Sequence, residues 1–307
     1  ILPEIIDMHM PVEGVFHNLV IVKIKNEYEG HAQKVMNAMW GAGQMMFNKI
    51  LVIVDGNTNI HDYEEVAKII SENVNPANDI YFSQGPMDVL DHACSKFAFG
   101  GKMCLDATSK ADVRGQKADG NSQIQNIKSQ FPEIISISDS LLKKGISVVF
   151  VSVKKNRKNH IKELNEKLFT LKEFSAVKFV IYLEDKADIT DIKDCIWRFA
   201  NNFDPKRDSF LMPSTINHQP SSIGFDGTRK TKQHDNFDRP WPNIICADEK
   251  TINSVDEKWK KMFDGQRLMY DGKTSTINHQ PSTISFIPSP SLKYRNQLYK
   301  GEAVAEE

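Results

Sequence analysis

Two tandem, duplicated three-layer α/β/α units with mainly parallel sheets, then a carboxy-terminal helix and arm, are the fold that this 307-residue chain predicts. Three observations carry the prediction. Sliding the chain against itself by 129 positions superposes Pro3-Glu4-Ile5-Ile6 on Pro132-Glu133-Ile134-Ile135, His31 on His160 and Lys49 on Lys178. The same shift brings Ile60 onto Ile189, Asp62 onto Asp191, Pro76 onto Pro205 and Asp79 onto Asp208. Matches at one fixed shift over so long a stretch mark a duplicated unit. The second copy then shortens, and Asp106 of LDATSK meets Asp226 of FDGTRK at a shift of 120. Lastly, short apolar runs alternate with helical stretches in each copy. That order predicts a sheet covered on both faces, with right-handed crossovers.

The elements follow in order. Leu19 to Lys25 and Ser147 to Lys154 are apolar and β-branched, as buried strands are. Residues 30–41 and 159–171 read as helices. Lys49 to Val54 and Lys178 to Leu183 are strands again, and each ends in an acidic turn. Asp62 and Asp191 stand where an N-cap belongs, ahead of helices at 63–72 and 192–201. Pro76 and Pro205 stop those helices, and a third strand is expected near 79–83 and 208–212. The domains are accordingly 1–112, a polar linker at 113–128, a diverged second unit at 129–250, and a helix with a Pro-rich tail at 251–307. In the last, Ser254 to Met262 reads as an amphipathic helix carrying Trp259. The octapeptide STINHQPS occurs at 214–221 and again at 275–282, outside the 129-residue repeat. Its histidines, His218 and His279, lack a neighbouring carboxylate or thiol at ligand spacing, so no metal site is expected there.

Composition excludes several classes. Lys and Arg number 39 against 40 Asp and Glu, so no bulk field favours nucleic acid. No apolar run reaches the roughly 18 residues of a membrane span. The four cysteines are scattered without a CxxC pair, which predicts reduced thiols in a cytoplasmic protein.

The chemistry-bearing residues cluster in the first copy. Lys49 follows the GAGQMMFN turn, where glycines let backbone approach a ligand and a long side chain reaches a phosphate. Its alternative is a strand-edge lysine serving the fold, because Lys178 keeps the type in the second copy. Met45, Met46 and Phe47 form a soft apolar patch suited either to a flat cofactor or to core packing. His31, matched by His160, fits a capping or packing role. Glu13 and His17 stand in PVEGVFHN and face either a site or a contact. An apolar helix face around Met39 and Trp40 is available for pairing across a two-fold axis. The GAGQMM turn precedes a strand instead of following one, which argues against a dinucleotide fingerprint.

The order YEGHAQKVMNAMW, GQMMFNKILVIVD, GGKMCLDAT, preceded by LPEIIDMHMPVEGVFHN, resembles the carboxy-terminal region of the UbiD family, 3-octaprenyl-4-hydroxybenzoate carboxy-lyase-like decarboxylases that use prenylated FMN. The resemblance implies a cofactor contact from Lys49 alone, toward the flavin phosphate; Met45, Met46 and Phe47 are cofactor-binding candidates by residue type. It implies that GGKMCLDAT is a supporting loop in which glycines turn the chain and Asp106 orders backbone amides. Prenylated FMN with a divalent metal would serve the full-length enzyme, with none bound to this chain alone. The catalytic acid, the arginine and the metal ligands would lie in an amino-terminal flavin-binding domain, so no catalytic or metal residue is assigned here. The implied reaction removes carboxylate from a hydroxybenzoate-like or polycyclic aromatic acid in quinone biosynthesis. A homo-oligomer is expected, inactive without its flavin domain. The alternative is a non-catalytic assembly module that keeps this domain without a flavin partner.

Overall fold

The computed structural model describes residues 2–110, 124–212, 221–242, 244 and 247–263. Most of the expected linker, both copies of STINHQPS apart from Ser221, and the Pro-rich tail lie outside the described residues. Residues Ile1–Trp241 form one compact unit and Pro242–Glu307 another.

In the first copy the elements are β1 (Ile5–His9), β2 (Leu19–Ile24), α1 (His31–Trp40), β3 (Ile50–Asp55), α2 (Tyr63–Asn73), β4 (Ile80–Pro86) and β5 (Phe99–Asp106). The second repeats them as β6 (Ile134–Ser138), β7 (Val148–Val153), α3 (His160–Leu168), β8 (Phe179–Glu184), α4 (Ile192–Asn202), β9 (Ser209–Met212) and β10 (Ser222–Asp226), then a short α5 (Lys232–Asp235). In the other compact unit, α6 (Glu249–Phe263) contains the predicted terminal helix.

Each copy is a five-stranded sheet, in the orders β1-β2-β3-β5-β4 and β6-β7-β8-β10-β9. The three inner strands of each are parallel and the two edges antiparallel. A bulge interrupts the first edge pair at the same place in both copies, between Ile5 and Asp7 and between Ile134 and Ser136. The Asp62 carboxylate accepts from the amides of Glu64 and Glu65, and Asp191 does the same for Lys193 and Asp194, so both predicted N-caps are present.

The inner strands bury both faces. Val20, Val22, Leu51 and Ile53 meet Ala32, Val35, Met36 and Met39 of α1. Val149, Val151 and Val180 meet Ile161, Leu164 and Leu168 of α3. The opposite faces of the two sheets share one core, in which Val52, Val54, Met103 and Leu105 join Phe150, Ile181, Leu183 and Phe225. Met39 is therefore spent on its own sheet, and Trp40 packs partly buried beside it. The helix face expected to pair with another subunit is occupied within the copy.

GGKMCLDAT is not a loop. Its residues 100–106 lie in β5, between β3 and β4, and Ala107 and Thr108 follow the strand. Its glycines serve close approach, not turning. A Cβ on Gly101 would lie 2.4 Å from Asp204 Oδ1 and 2.6 Å from the Lys206 backbone nitrogen, both in the second copy. Gly101→Ala should cost about 1–3 kcal/mol by forcing the copies apart. A wild-type urea midpoint for that variant would contradict the close contact. Asp106 does order the next turn, accepting from the Thr108 amide at 3.1 Å and hydroxyl at 2.6 Å. Asp226 repeats this with Thr228. Burial pushes the Asp226 carboxyl up, but Lys230, Lys155 and the Thr228 bonds outweigh it and hold the pKa at about 2.

The copies meet by exchanging equivalent contacts, as the halves of a two-fold dimer do. Lys49 Nζ donates to the carbonyls of Ala200 (2.9 Å) and Phe203 (3.1 Å) at the end of α4. Lys178, its repeat partner, donates to the carbonyl of Ser71 near the end of α2. Ser71 is the counterpart of Ala200. Likewise Asp204 Oδ2 accepts from the Gly101 amide at 3.3 Å, while Asn75 and Ser221, their counterparts, bond to each other. Each lysine thus satisfies carbonyls that a helix end leaves unpaired.

Candidate functional site

The richest constellation in the first copy surrounds a 3-10 turn at Gly43–Phe47, between α1 and β3. Gly43 has φ +55, a backbone that favours glycine. Met45, Met46 and Phe47 are half-buried, so part of each side chain remains at the surface. Asn48 pins the end of the turn. Its amide donates to the His17 carbonyl at 2.8 Å and the Ile50 carbonyl at 3.0 Å, and its oxygen accepts from Trp40 Nε1 at 3.4 Å.

Two buried lysines lie behind the turn. Lys49 is 1% exposed, and its ammonium is 2.7 Å from Asp91 Oδ2, a close ion pair lying off the line of a hydrogen bond. With the two α4 carbonyls, that partner set is complete. The structure therefore brings Lys49 to the second copy and not to the surface beside Met45–Phe47. The reason is topological: Lys49 lies at the amino end of β3, whereas open α/β sheets present ligands at the carboxyl ends of their strands. The second lysine, Lys102 on β5, is 2% exposed and donates to the carbonyls of Met46 (2.6 Å) and Asn48 (2.7 Å). Sequence reasoning passed over it. The signal was available, because the second copy has Ser222 in its place.

Asp91 belongs to the loop between β4 and β5, the stretch in which the first copy is longer than the second. The second copy grips this loop. Arg207 donates to the Ala93 carbonyl at 2.9 Å and Arg239 to the Cys94 carbonyl at 2.7 Å. His92 bonds Asn202 at 3.1 Å and meets Trp241 edge-on at 4.6 Å. Burial depresses the His92 pKa to about 4, so it is neutral at physiological pH. The Cys94 thiol is pushed up to about 12 by burial, which makes it a poor nucleophile.

The Val12–Phe16 segment and the β4–β5 loop expose large apolar side chains. Val12 is 83% exposed, Phe16 66% and Leu90 74%. Phe16 adopts φ 63, a strained left-handed backbone for an aromatic residue. His17 connects these segments, with its ring 6.0 Å from Phe47 and its Nδ1 3.5 Å from Asp88 Oδ2. Glu13 is buried, 3.5 Å from the Tyr63 hydroxyl. His31 is buried as well. It accepts the Glu27 amide at Nδ1 and faces Glu4, and His160 does the same with Asn156 and Glu133. Both histidines brace the helix start.

Chemically, this arrangement offers a shaped apolar surface on a rigid base. Among the described residues no three His, Cys, Asp or Glu side chains converge as a metal site. Lys49, fully engaged by Asp91 and the Ala200 and Phe203 carbonyls, does not fit a flavin phosphate. Fold and site together define a tandem α/β module in which one copy carries a built turn and the other braces it.

The chain belongs to the family described as the 3-octaprenyl-4-hydroxybenzoate carboxy-lyase C-terminal domain, the carboxy-terminal region of UbiD proteins, whose model matches residues 1–107 and 120–231. Both copies fall within the match. An uncharacterized protein of Helicobacter pylori is 32% identical over 259 residues, covering 83% of this chain and 40% of the relative. One from Aquifex aeolicus is 41% identical over 143 residues, 47% of this chain and 27% of the relative. The chain spans less than half the length of these curated relatives. Among solved structures, the UbiD-class enzyme HmfF from Pelotomaculum thermopropionicum, in complex with FMN, aligns at TM-score 0.34 and 20% identity, over 42% of this chain and 29% of that one. Vanillic acid decarboxylase of Sedimentibacter hydroxybenzoicus aligns at 0.36 and 16%, over 46% and 31%. Among the described residues, no helix is long and apolar enough to cross a membrane.

Proposed function

We propose that this chain is the non-catalytic assembly portion of a UbiD-type carboxy-lyase. The whole enzyme removes carboxylate from a hydroxybenzoate-like or polycyclic aromatic acid in quinone biosynthesis, in the cytoplasm and as a homo-oligomer. A separate amino-terminal domain holds the prenylated FMN, the metal and the proton donor. Met45, Met46 and Phe47 lend that flavin site an apolar wall, and the Val12–Phe16 segment with Leu90 is where the flavin domain docks. Lys49 serves the junction of the copies, not the cofactor.

One observation carries the reading. Phe16 is exposed and strained at a position where the second copy has Gly145, with φ 79. The fold is content with glycine there, and a left-handed aromatic costs about 1–2 kcal/mol. Retaining it favours a partner surface. Phe16→Gly should accordingly hold or raise the melting temperature of the chain while weakening its association with a prenylated-FMN-loaded flavin domain at least tenfold. The assay is sedimentation of the mixture. Unchanged association would sink the docking assignment, and no association even for the unaltered chain would favour an assembly module without a flavin partner.

A further inference from the structure

We propose that Lys102 is a positioning residue whose charged ammonium sets the shape of the Gly43–Phe47 turn and so presents Met45, Met46 and Phe47. It rests on the proposal that this turn lines a flavin site, but only for its purpose, not for its geometry.

The geometry is that of a clamp. Lys102 enters from β5, and its chain passes so close under β4 that a Cβ on Gly85 would sit 3.0 Å from Lys102 Cε. Nζ ends between the Met46 and Asn48 carbonyls, 3.5 Å from Met87 Sδ. No carboxylate forms an ion pair with it among the described residues. Burying an ammonium on carbonyls alone is expensive, so a lysine that serves only packing would be replaced at a gain.

The second copy is an internal control. Ser222 stands in the place of Lys102, and its hydroxyl donates to the Val177 carbonyl at 3.1 Å. Val177 is the counterpart of Asn48. Both copies therefore tie the same carbonyl, and a hydroxyl suffices for that. Only the lysine reaches on to Met46, inside the turn. The corresponding turn of the second copy, Lys172–Phe174, is shorter and contains neither glycine nor methionine. Long clamp and methionine turn occur together, and both are missing together.

The groups facing Nζ are Lys49 at the head of β3, and Asp91 and Cys94 from the β4–β5 loop. Burial lowers the Lys102 pKa to about 8; Cys94 and Asp91 oppose the shift and Lys49 adds to it. The folded value lies below the ordinary 10.5, so this group's penalty on folding is full below pH 8 and is relieved as pH rises toward 10.5. In the folded chain the clamp loses its charge around pH 8, and its bonds to the carbonyls weaken. A local loosening of the turn that opposes a gain in this group's contribution to global stability is the signature of positioning.

Methyl NMR of the methionine-labelled chain reads this directly, with Met45 and Met46 assigned by Met→Leu variants. In the unaltered chain both methyls should shift with a midpoint near pH 8. In Lys102→Ser, which copies the second unit, they should start near the high-pH position and not titrate. Lys102→Arg keeps its charge and should hold them near the low-pH position throughout. Identical Met46 shifts in wild type and Lys102→Ser, or a titration that survives Lys102→Ser, would overturn the proposal. No flavin is involved, so this outcome is separate from the wall itself. Met45→Ala and Met46→Ala in the flavin-loaded enzyme test the wall through cofactor retention.

Discussion

Lys49→Met should destabilise the chain by about 3–5 kcal/mol, whereas Lys178→Met, at the same place in the repeat, should change stability by less than about 1 kcal/mol. The contrast follows from their partners. Lys49 faces Asp91, whose side chain has no exposed surface. Removing the ammonium leaves that carboxylate buried and uncompensated, and strands the Ala200 and Phe203 carbonyls as well. Among the described residues Lys178 bonds the Ser71 carbonyl and has no ion pair, and burial lowers its pKa against the weaker opposing pull of Asp79 and Glu72. Its replacement removes an unpaired buried charge, which offsets the lost hydrogen bond. Urea unfolding of both variants measures the difference. Adding Asp91→Asn to Lys49→Met should recover much of the loss by removing the stranded charge. Equal costs for the two lysines would show that Asp91 is not a true partner.

Arg198→Met should cost a similar amount, about 3–5 kcal/mol, and be the most damaging substitution in the second copy. Arg198 is 2% exposed and bridges Glu184, at the end of β8, to Asp194 in the first turn of α4, with Nε 3.1 Å from Asp194 Oδ2. Among the described residues Glu184 Oε2 and Asp194 Oδ1 have no hydrogen bond, so the arginine carries the burden of two buried carboxylates. Without it, like charges face each other in a medium that solvates neither. Glu184→Gln and Asp194→Asn, added together to Arg198→Met, should return most of the stability. A melting temperature for the single variant within a degree or two of wild type would mean that water reaches the triad. The first copy manages without this device. Its counterparts are Asp55, Glu65 and Ile69, and Asp55 instead accepts from Ser109 at 2.7 Å.

Much of the fold was legible because it is local. The β-branched runs, the Asp62 and Asp191 caps and the breaks at Pro76 and Pro205 all express preferences within a few residues, and the fixed shift doubled each of them. The four strands that were missed, β1, β5, β6 and β10, lack that local character. Glycines in β5 and β10 and aspartates in β1, β5 and β10 disfavour strands on their own, and serines interrupt the apolar run of β6. Pairing with neighbours and the close approach of the opposite copy decide their state instead.

The sequence by itself determined that a unit had been duplicated, what its helices and inner strands are, and that the first copy alone carries the glycine–methionine turn. Those are properties of spacing and residue type. Tertiary structure decided where the cations go. Lys49 and Lys102 are both buried near the same turn, yet one was spent on the second copy and the other on the turn. Nothing in their neighbours along the chain distinguishes them. A buried ammonium is settled by whichever carbonyls and carboxylates lie within about 3 Å of it. Here those belong to residues far away in the chain: the pairing of the two copies brings the Ala200 and Phe203 carbonyls to Lys49, and the folding of the first copy brings Asp91 to Lys49 and the Met46 and Asn48 carbonyls to Lys102.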